Sequence, residues 1–596
     1  MATVNLSSKQ KFAKGHEKPK NKKKTLHRIL EYLLSHPIYF ILSIILTITS
    51  SVLALFGPKF SGDAISALSG GKGNVEFDKV WYYSILLVIF YISSSLLSAL
   101  LNIIMVHYSQ SIVKRMRKDL FDHICLMPIS FYDKNKTGDI ISRISYDIDS
   151  VNTSISSDII TIANAIITIV GSFIMMLVIK PILVLVFVVT VPLSIVYTKI
   201  IQKKIRRCYR LRSKALGEMN GYAEEMISGM KSVKAYSNEK SVYDDFETFS
   251  NKACEAECLA EKTMSWNFPG INLINNLSLS LISIISAILF MNDLMTIGAI
   301  ASFVLYSRKF SGPINEIANI YSDIESALAA GERVFEVLDL EIEKDNPDSC
   351  CVTDTLGAIR FENVKFGYSN DKEIIHNLSL DVEPGKLVAI VGPTGAGKTT
   401  IINLLMRFYD IQGGKIYLDG KDINIIKKKN LRQLYSMVLQ ETWLRKGSIL
   451  DNVRYGNPNA TLEEVKNACR NANIDDYIIS LKNGYDTILD ENGNNISKGQ
   501  KQLLTIARAM LLDSKILILD EATSNVDTST EMKIQEAMRK LMENKTCFVI
   551  AHRLSTIRNA DVILVLKDGD VIEQGTHDEL VKLNGFYSVL YNSQFE

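Results

Sequence analysis

Two stretches hold residues whose types and spacing suit phosphate chemistry. In "LVAIVGPTGAGKTTIINLL", Gly392, Pro393, Thr394, Gly395, Ala396, Gly397, Lys398 and Thr399 fall at P-loop spacing, with Thr400 next. An apolar strand-like run precedes them and a helical pattern follows, which is the context the motif demands. The glycines let backbone N–H groups close around phosphate oxygens at a helix N-terminus. Lys398 then reaches the β- and γ-phosphates, and the Thr399 hydroxyl is offered to Mg²⁺. In "KILILDEATSNVD", Ile516 to Leu519 read as a buried strand ending in Asp520 and Glu521. A carboxylate at a strand end beside a P-loop holds Mg²⁺, which fits Asp520, and Glu521 is placed to polarise an attacking water. Alone, an Asp-Glu pair is a solvated turn; the P-loop upstream makes it a catalytic candidate.

These stretches need a domain to hold them. From residue 358 to 596, strand-like runs alternate with helical ones, as in an α/β nucleotide-binding domain. Residues 338–357 are polar, carry a Pro and a Gly, and read as a linker. What precedes them is different in kind. Long uncharged runs cover Ile38 to Pro58, Val80 to Val106, Ile159 to Ile179, Ile182 to Thr198 and Trp266 to Met291, and a sixth starts near Leu294. A membrane span needs about 20 apolar residues, so residues 26–337 are expected to form a polytopic domain of six transmembrane helices. Lys180-Pro181 leaves room only for a tight hairpin between the third and fourth.

Charge sets the orientation. The segments after the second and fourth runs are long and basic, with Lys114, Arg115, Arg117 and Lys118 in one and Lys203, Lys204, Arg206, Arg207, Arg210 and Arg212 in the other. The positive-inside rule therefore puts these loops, both termini and the ATPase domain in the cytoplasm of a multi-pass cell-membrane protein. Residues 1–25 read as a disordered basic tail suited to anionic lipid. Aromatic residues barely interleave its lysines, so nucleic acid is not an expected partner. Leu26, Ile29, Leu30, Leu33 and Leu34 follow at helical spacing, as in a helix lying in the membrane interface.

The totals agree with a two-part membrane protein. A chain of 596 residues exceeds one ordinary domain, and 47% of it is hydrophobic. The net charge of +2 averages unlike segments. None of the eight cysteines falls in a zinc or CxxC redox pattern.

Further segments resemble those of the ATP-binding-cassette (ABC) exporters, in the half-transporter arrangement of six spans followed by one ATPase domain. The likeness runs from about His36 to the C-terminus. "RKDLFDHICLMPISFYDKNKTGDIISRISYDID" is similar to the family's first cytoplasmic loop and "YAEEMISGMKSVKAYSNEK" to its second. Tyr368 lies where the family stacks an aromatic on adenine. Gln440, in "VLQETWL", resembles the glutamine that touches Mg²⁺ and links the nucleotide site to the membrane domain. "NNISKGQ" resembles the signature segment. Ser524, Asn525, Val526 and Asp527 resemble the loop at the dimer interface, and His552, in "IAHRLSTI", the histidine that contacts the γ-phosphate. The resemblance implies ATP and Mg²⁺ as cofactors and a translocase whose catalytic residues are Glu521, His552 and Gln440.

The family's two ATPase domains meet head to tail, each ATP lying on one P-loop and capped by the other subunit's signature. Here Ser497, Gly499 and Gln500 match the signature, but Lys498 stands where a glycine is usual. Its side chain obstructs close backbone approach, and its charge favours a triphosphate. Asp490, where the family has glycine, is a second departure. With the chain's own P-loop, Asp520 and Glu521 intact, the expectation is a heterodimer with one slow site. A homodimer is the alternative.

The substrate is the least legible part. Arg308 and Lys309 in the sixth run, and Asn272, Asn275 and Asn276 in the fifth, are candidates to line a cavity. For the asparagines, interhelical hydrogen bonding is the alternative. The expectation is export of an amphiphile (drug, lipid or peptide) by alternating access, with an importer or a channel-like regulator open on the same fold.

Overall fold

The computed structural model describes residues 21–69, 75–369, 372–439, 442–520, 527–551 and 557–593. Contacts divide the chain into two units. One comprises Met1–Leu126 and Asn135–Glu341; the other comprises Ile342–Glu596 and the short segment Met127–Lys134.

The first unit is helical. It contains α1 (Lys22–Leu34), α2 (Pro37–Leu68) and α3 (Phe77–Cys125). After α4 (Ile129–Lys134), which belongs to the second unit, come α5 (Thr137–Ser142), α6 (Ile148–Thr153) and α7 (Ile159–Ile179), with π-helical turns at Arg143–Asp147 and Ser154–Asp158. The remainder is α8 (Pro181–Ser228), α9 (Met230–Ala235), α10 (Glu239–Met264), α11 (Asn267–Met291) and α12 (Ile297–Leu338). Among the described residues five helical stretches are long and apolar enough to cross a membrane: Pro37–Leu68, Phe77–Cys125, Thr137–Ile179, Pro181–Ser228 and Glu239–Met291. The sixth expected span corresponds to α12, whose apolar run is interrupted by Arg308 and Lys309. Trp81, Ile85, Val88, Ile92 and Leu96 stand exposed on α3, an apolar surface suited to lipid contact. Between α7 and α8, Lys180 is extended (φ −163°, ψ 105°) and Pro181 opens the next helix.

A proline governs how α2 and α12 meet. Pro58 lies inside α2 and has no N–H, so the Ala54 carbonyl lacks its intrahelical donor. Lys309 Nζ donates to that oxygen at 2.5 Å. One turn along, Tyr306 Oη donates to Leu55 O at 2.6 Å and Ser302 Oγ to Pro58 O at 2.9 Å. The helices approach closely because Gly62 and Gly298 face each other: a Cβ on Gly298 would lie 2.0 Å from Gly62 O. Lys309, a candidate cavity residue, thus has a main-chain partner on a neighbouring helix, whereas Arg308 is exposed.

The basic tail expected to run to residue 25 gives way to α1 at Lys22. Lys22 pairs with Glu325 at 2.6 Å, and Lys24 and Arg28 pair with Asp339 at 2.8 and 2.6 Å. Glu325 within α12 and Asp339 at its C-cap compensate these cations, and α1 buries Thr25, Ile29 and Leu33, so the segment is helical where composition alone suggests a solvated tail.

The second unit is α/β. Its six-stranded sheet runs β12-β11-β3-β10-β9-β6, made of β3 (Leu387–Val391), β6 (Tyr435–Val438), β9 (Ile516–Asp520), β10 (Thr546–Ile550), β11 (Val562–Lys567) and β12 (Asp570–Gly575). All but β12 are parallel, so β3, β6, β9 and β10 end on one edge, where α/β proteins place ligands. A four-stranded antiparallel sheet, β2-β1-β4-β5, flanks it: β1 (Ile359–Phe366), β2 (Ile375–Val382), β4 (Gly413–Leu418) and β5 (Lys421–Asp422). A short pair, β7 (Gly447–Ser448) and β8 (Ile488–Leu489), completes the strands. Val388–Ile390, Ile516–Leu519 and Cys547–Ile550 are fully buried, as continuous apolar runs in a parallel sheet require.

Lys309→Met is expected to lower the thermal unfolding midpoint in detergent, through loss of a bond to a charged donor worth roughly 1.5–3 kcal/mol. In a Pro58→Ala background the N–H restored at position 58 can take the Ala54 carbonyl, so the same substitution should cost less there. Equal costs in both backgrounds would show that the carbonyl is not what Lys309 serves.

Candidate nucleotide site

The P-loop leaves β3 at Val391 and enters a helix, α13 (Lys398–Leu405), at Lys398. Its glycines are needed for different reasons. A Cβ on Gly392 would stand 2.3 Å from Leu566 O, so the loop can pass β11 only without a side chain. Gly397 caps α13 with φ +101°, in the left-handed region. Pro393, Thr394, Gly395 and Thr399 are exposed around the loop, while Ala396 and Thr400 are buried beneath it. Lys398 Nζ donates to Gly392 O at 2.8 Å and Pro393 O at 2.9 Å. Burial lowers the pKa of this ammonium, and the charge of Asp520 partly opposes that. Open main-chain N–H groups at a helix N-terminus beside a cation make an anion cradle.

Asp520 ends β9 half-buried, in register with Ile550 of the neighbouring strand. Its carboxylate and the Thr399 hydroxyl are hard oxygen donors of the kind Mg²⁺ takes. Gln440, Glu521 and His552 lie outside the described residues. The strands that lead to them in sequence, β6, β9 and β10, end at Val438, Asp520 and Ile550, on the same edge as the P-loop.

Tyr368 is held from several sides. Its hydroxyl lies 3.3 Å from Thr400 Oγ1 and accepts from Asn403 Nδ2 at 3.1 Å. Phe366 and Tyr409 meet its ring edge-on, with centroids 5.1 and 4.9 Å away. The ring is 40% exposed, so apolar surface remains for stacking. Tyr409 in turn donates to Asp133 of α4, and burial first, then this bond, raises its pKa. The sequence reading missed Asn403, Tyr409 and Asp133. Asn403 carried a usable signal, because it follows Thr399 by one helical turn. Asp133 carried none.

In the signature-like segment, Ser497 is the N-cap of the Lys498–Leu512 helix, and its hydroxyl accepts from Gln500 N at 3.2 Å. Gln500 Oε1 accepts from Ser497 N at 2.8 Å, completing a capping box. Gly499 is buried. Lys498 is the first helical residue and is exposed; among the described residues its ammonium has no hydrogen-bond or ion partner. Asp490 lies just before, its N–H bonded to Asn495 Oδ1 at 3.1 Å.

Ser524, Asn525 and Val526 lie outside the described residues. Asp527 caps the Thr528–Met542 helix through Thr530 N at 2.9 Å, and this bond, with that from Ser529, holds its carboxyl below the ordinary range. On α11, Asn272 and Asn276 are exposed and Asn275 is half-buried.

Residues 40–314 match the family described as the ABC transporter transmembrane region, and residues 375–524 match the family described as ABC transporter. An uncharacterized ABC transporter ATP-binding protein, YfiC, of Bacillus subtilis (strain 168) is 42% identical over 590 residues, 99% of this chain and 97% of that protein. A fatty acid ABC transporter ATP-binding/permease protein of Mycobacterium bovis (strain ATCC BAA-935 / AF2122/97) is 38% identical over 536 residues, 89% of this chain and 84% of that protein. Among solved structures, a bacterial Atm1-family ABC exporter with ATP bound superposes with a TM-score of 0.75 at 28% identity, covering 96% of this chain and 99% of the other.

Removing the Tyr409 ring should loosen Tyr368 without touching the P-loop. Tyr409→Ala is expected to raise the KM for ATP roughly two- to tenfold, the worth of one aromatic pair, with little change in kcat. A fall in kcat at constant KM would assign Tyr409 to another step.

Proposed function

The chain belongs to the ABC transporters, with membrane region and ATPase domain in one polypeptide, and from that premise we propose that it is one half of an asymmetric exporter of amphiphiles. ATP hydrolysis coupled to membrane transport is the activity of this family of dimeric half-transporters. The proposal concerns which site turns over and what is carried.

The observation that carries it is the state of the signature. Ser497 and Gln500 keep their capping box and Gly499 is buried, so the scaffold of a phosphate cap is intact. On that scaffold Lys498 puts an exposed ammonium in the first turn. A cation there opposes the positive end of the helix dipole, so an anion close by relieves it. ATP on a partner's P-loop would supply that anion. The same side chain separates the cap from the γ-phosphate and leaves main-chain donors less well aimed at the transition state. The composite site is thus suited to holding ATP and turning it over slowly.

The chain's own P-loop has no such departure. In this reading ATP binds at Gly392–Thr400 with its adenine on Tyr368. Thr399, Gln440 and Asp520 would hold Mg²⁺, Glu521 would direct water, and His552 would meet the γ-phosphate. A partner with an ordinary signature would complete the working site, with the loop from Ser524 to Asp527 at the dimer interface. Closure and opening of that dimer would drive alternating access. The basic loops support a cytoplasmic ATPase domain. The fatty acid transporter among the relatives supports an amphiphilic substrate.

The test is ATPase turnover of the purified chain alone, beside Lys498→Gly and Glu521→Gln. Low wild-type activity that rises roughly tenfold or more in Lys498→Gly, or on adding a partner with an unmodified signature, is expected. Vigorous activity unchanged by Lys498→Gly and abolished by Glu521→Gln would make the chain a working homodimer.

A further inference from the structure

Helix α8 changes character at one residue. From Pro181 to Thr198 it is uncharged, a length of about 27 Å at ~1.5 Å per residue, close to the thickness of a bilayer's hydrocarbon core. Lys199 follows, and from there Lys199, Gln202, Lys203, Arg206, Arg207 and Arg210, all of α8, line an open cleft of ≈ 510 Å³ along the helix's own surface. No Asp or Glu occurs between Pro181 and Gly217.

These cations stand side by side on one helix. Lys199 and Lys203, Lys203 and Arg207, and Arg206 and Arg210 are spaced i, i+4, an arrangement that destabilises a helix when the charges are alike. Among the described residues none of the five cleft cations has an ion pair. Arg212, on the same helix, shows what compensation looks like: it pairs with Glu257 of α10 at 2.6 Å and with Glu261 at 3.8 Å. A topological signal requires cations near a span, but it does not require them to line one cleft with no counter-ion.

The apolar side continues the pattern. Val189, Val196, Lys203 and Arg210 recur at seven-residue intervals, hence close to one face of the helix. Val189 and Val196 are 69% and 53% exposed. One face therefore offers apolar surface at membrane depth and unneutralised cations where headgroups lie.

We propose that the foot of α8 is a binding site for the anionic headgroup, phosphate or carboxylate, of an amphiphile drawn from the cytoplasmic leaflet, with its chain against Val189 and Val196. This rests on the reading above that the basic loops are cytoplasmic and the cargo amphiphilic.

The test is binding to the purified full-length protein in an uncharged detergent, with three probes: dodecyl phosphate, dodecanol and inorganic phosphate. No ATP turnover is involved, so the result is independent of the Lys498 test. Dodecyl phosphate should bind tightest. Lys203→Gln, Arg206→Gln, Arg207→Gln and Arg210→Gln together should weaken it at least about tenfold, since each cation near a headgroup contributes on the order of 1 kcal/mol. Lys204→Gln, on the same helix outside the cleft, should leave binding unchanged, as should Arg206→Lys, Arg207→Lys and Arg210→Lys, which keep the charge if the glutamine variant does not fold. Four outcomes would overturn the proposal. They are equal binding by wild type and the folded glutamine variant, an equal loss in Lys204→Gln, inorganic phosphate binding as tightly as dodecyl phosphate, and loss of dimer mass with binding retained. The last would assign the cations to a partner subunit.

Discussion

Inside a bilayer a main-chain carbonyl has no water to turn to, and much of the first unit follows from that constraint. Pro58 creates the problem in α2 by leaving Ala54 O without its donor. Lys309 of α12 answers with a bond to that carbonyl, and Tyr306 and Ser302 of the same helix add bonds to the carbonyls of residues 55 and 58. Their reach is short enough only because Gly62 and Gly298 carry no Cβ between the helices. The ATPase unit handles the same kind of group in the opposite way. At the start of α13, Lys398 bonds the loop carbonyls of Gly392 and Pro393, and N–H groups at a helix N-terminus suit a phosphate. Backbone polarity is satisfied within the protein in one half and reserved for a ligand in the other.

What could be read from the sequence was local. The P-loop was legible because a Gly-rich loop between an apolar run and a helix has few other uses. The uncharged runs were legible because length alone argues for a span, and Lys180-Pro181 because so short a connection allows only a tight turn. The unread parts depend on residues far apart in the chain. Lys309 suggested a cavity because its partner, Ala54, lies 255 residues earlier. Lys22 and Lys24 suggested a free tail because Glu325 and Asp339 are some three hundred residues away. Tyr409 gave no hint of holding Tyr368, since that contact needs β1 and the end of the P-loop helix to be brought together.

The Tyr368 side chain is held by its surroundings on several sides. Two hydrogen-bonding groups from α13, Thr400 and Asn403, fix the hydroxyl, and two aromatic edges fix the ring. Since α13 also carries Lys398, the same helix anchors the Tyr368 hydroxyl and the P-loop lysine. Asp133 links Tyr409 to a segment far upstream in sequence, because α4 belongs to the same compact unit as Tyr409. A displacement of α4 would therefore be felt by Tyr409 before it reached the P-loop.

Several cations in this protein are answered from within. Arg333 meets the buried Asp147 through two bonds of 2.6 and 3.0 Å, and Arg432 meets Glu343 through two of 2.7 and 2.8 Å. Arg28 has both Asp339 and the Phe335 ring. Set beside these, Lys498 and the basic foot of α8 share a property: each keeps positive charge at a place where the helix itself makes that charge unfavourable, through the dipole in one case and like neighbours in the other. Exposed surface charge is usually interchangeable and contributes little. Charge held against a local cost is better explained by an anion that arrives from outside. For Lys498 the P-loop reading supplies a triphosphate, and for α8 the length of its apolar run supplies a headgroup.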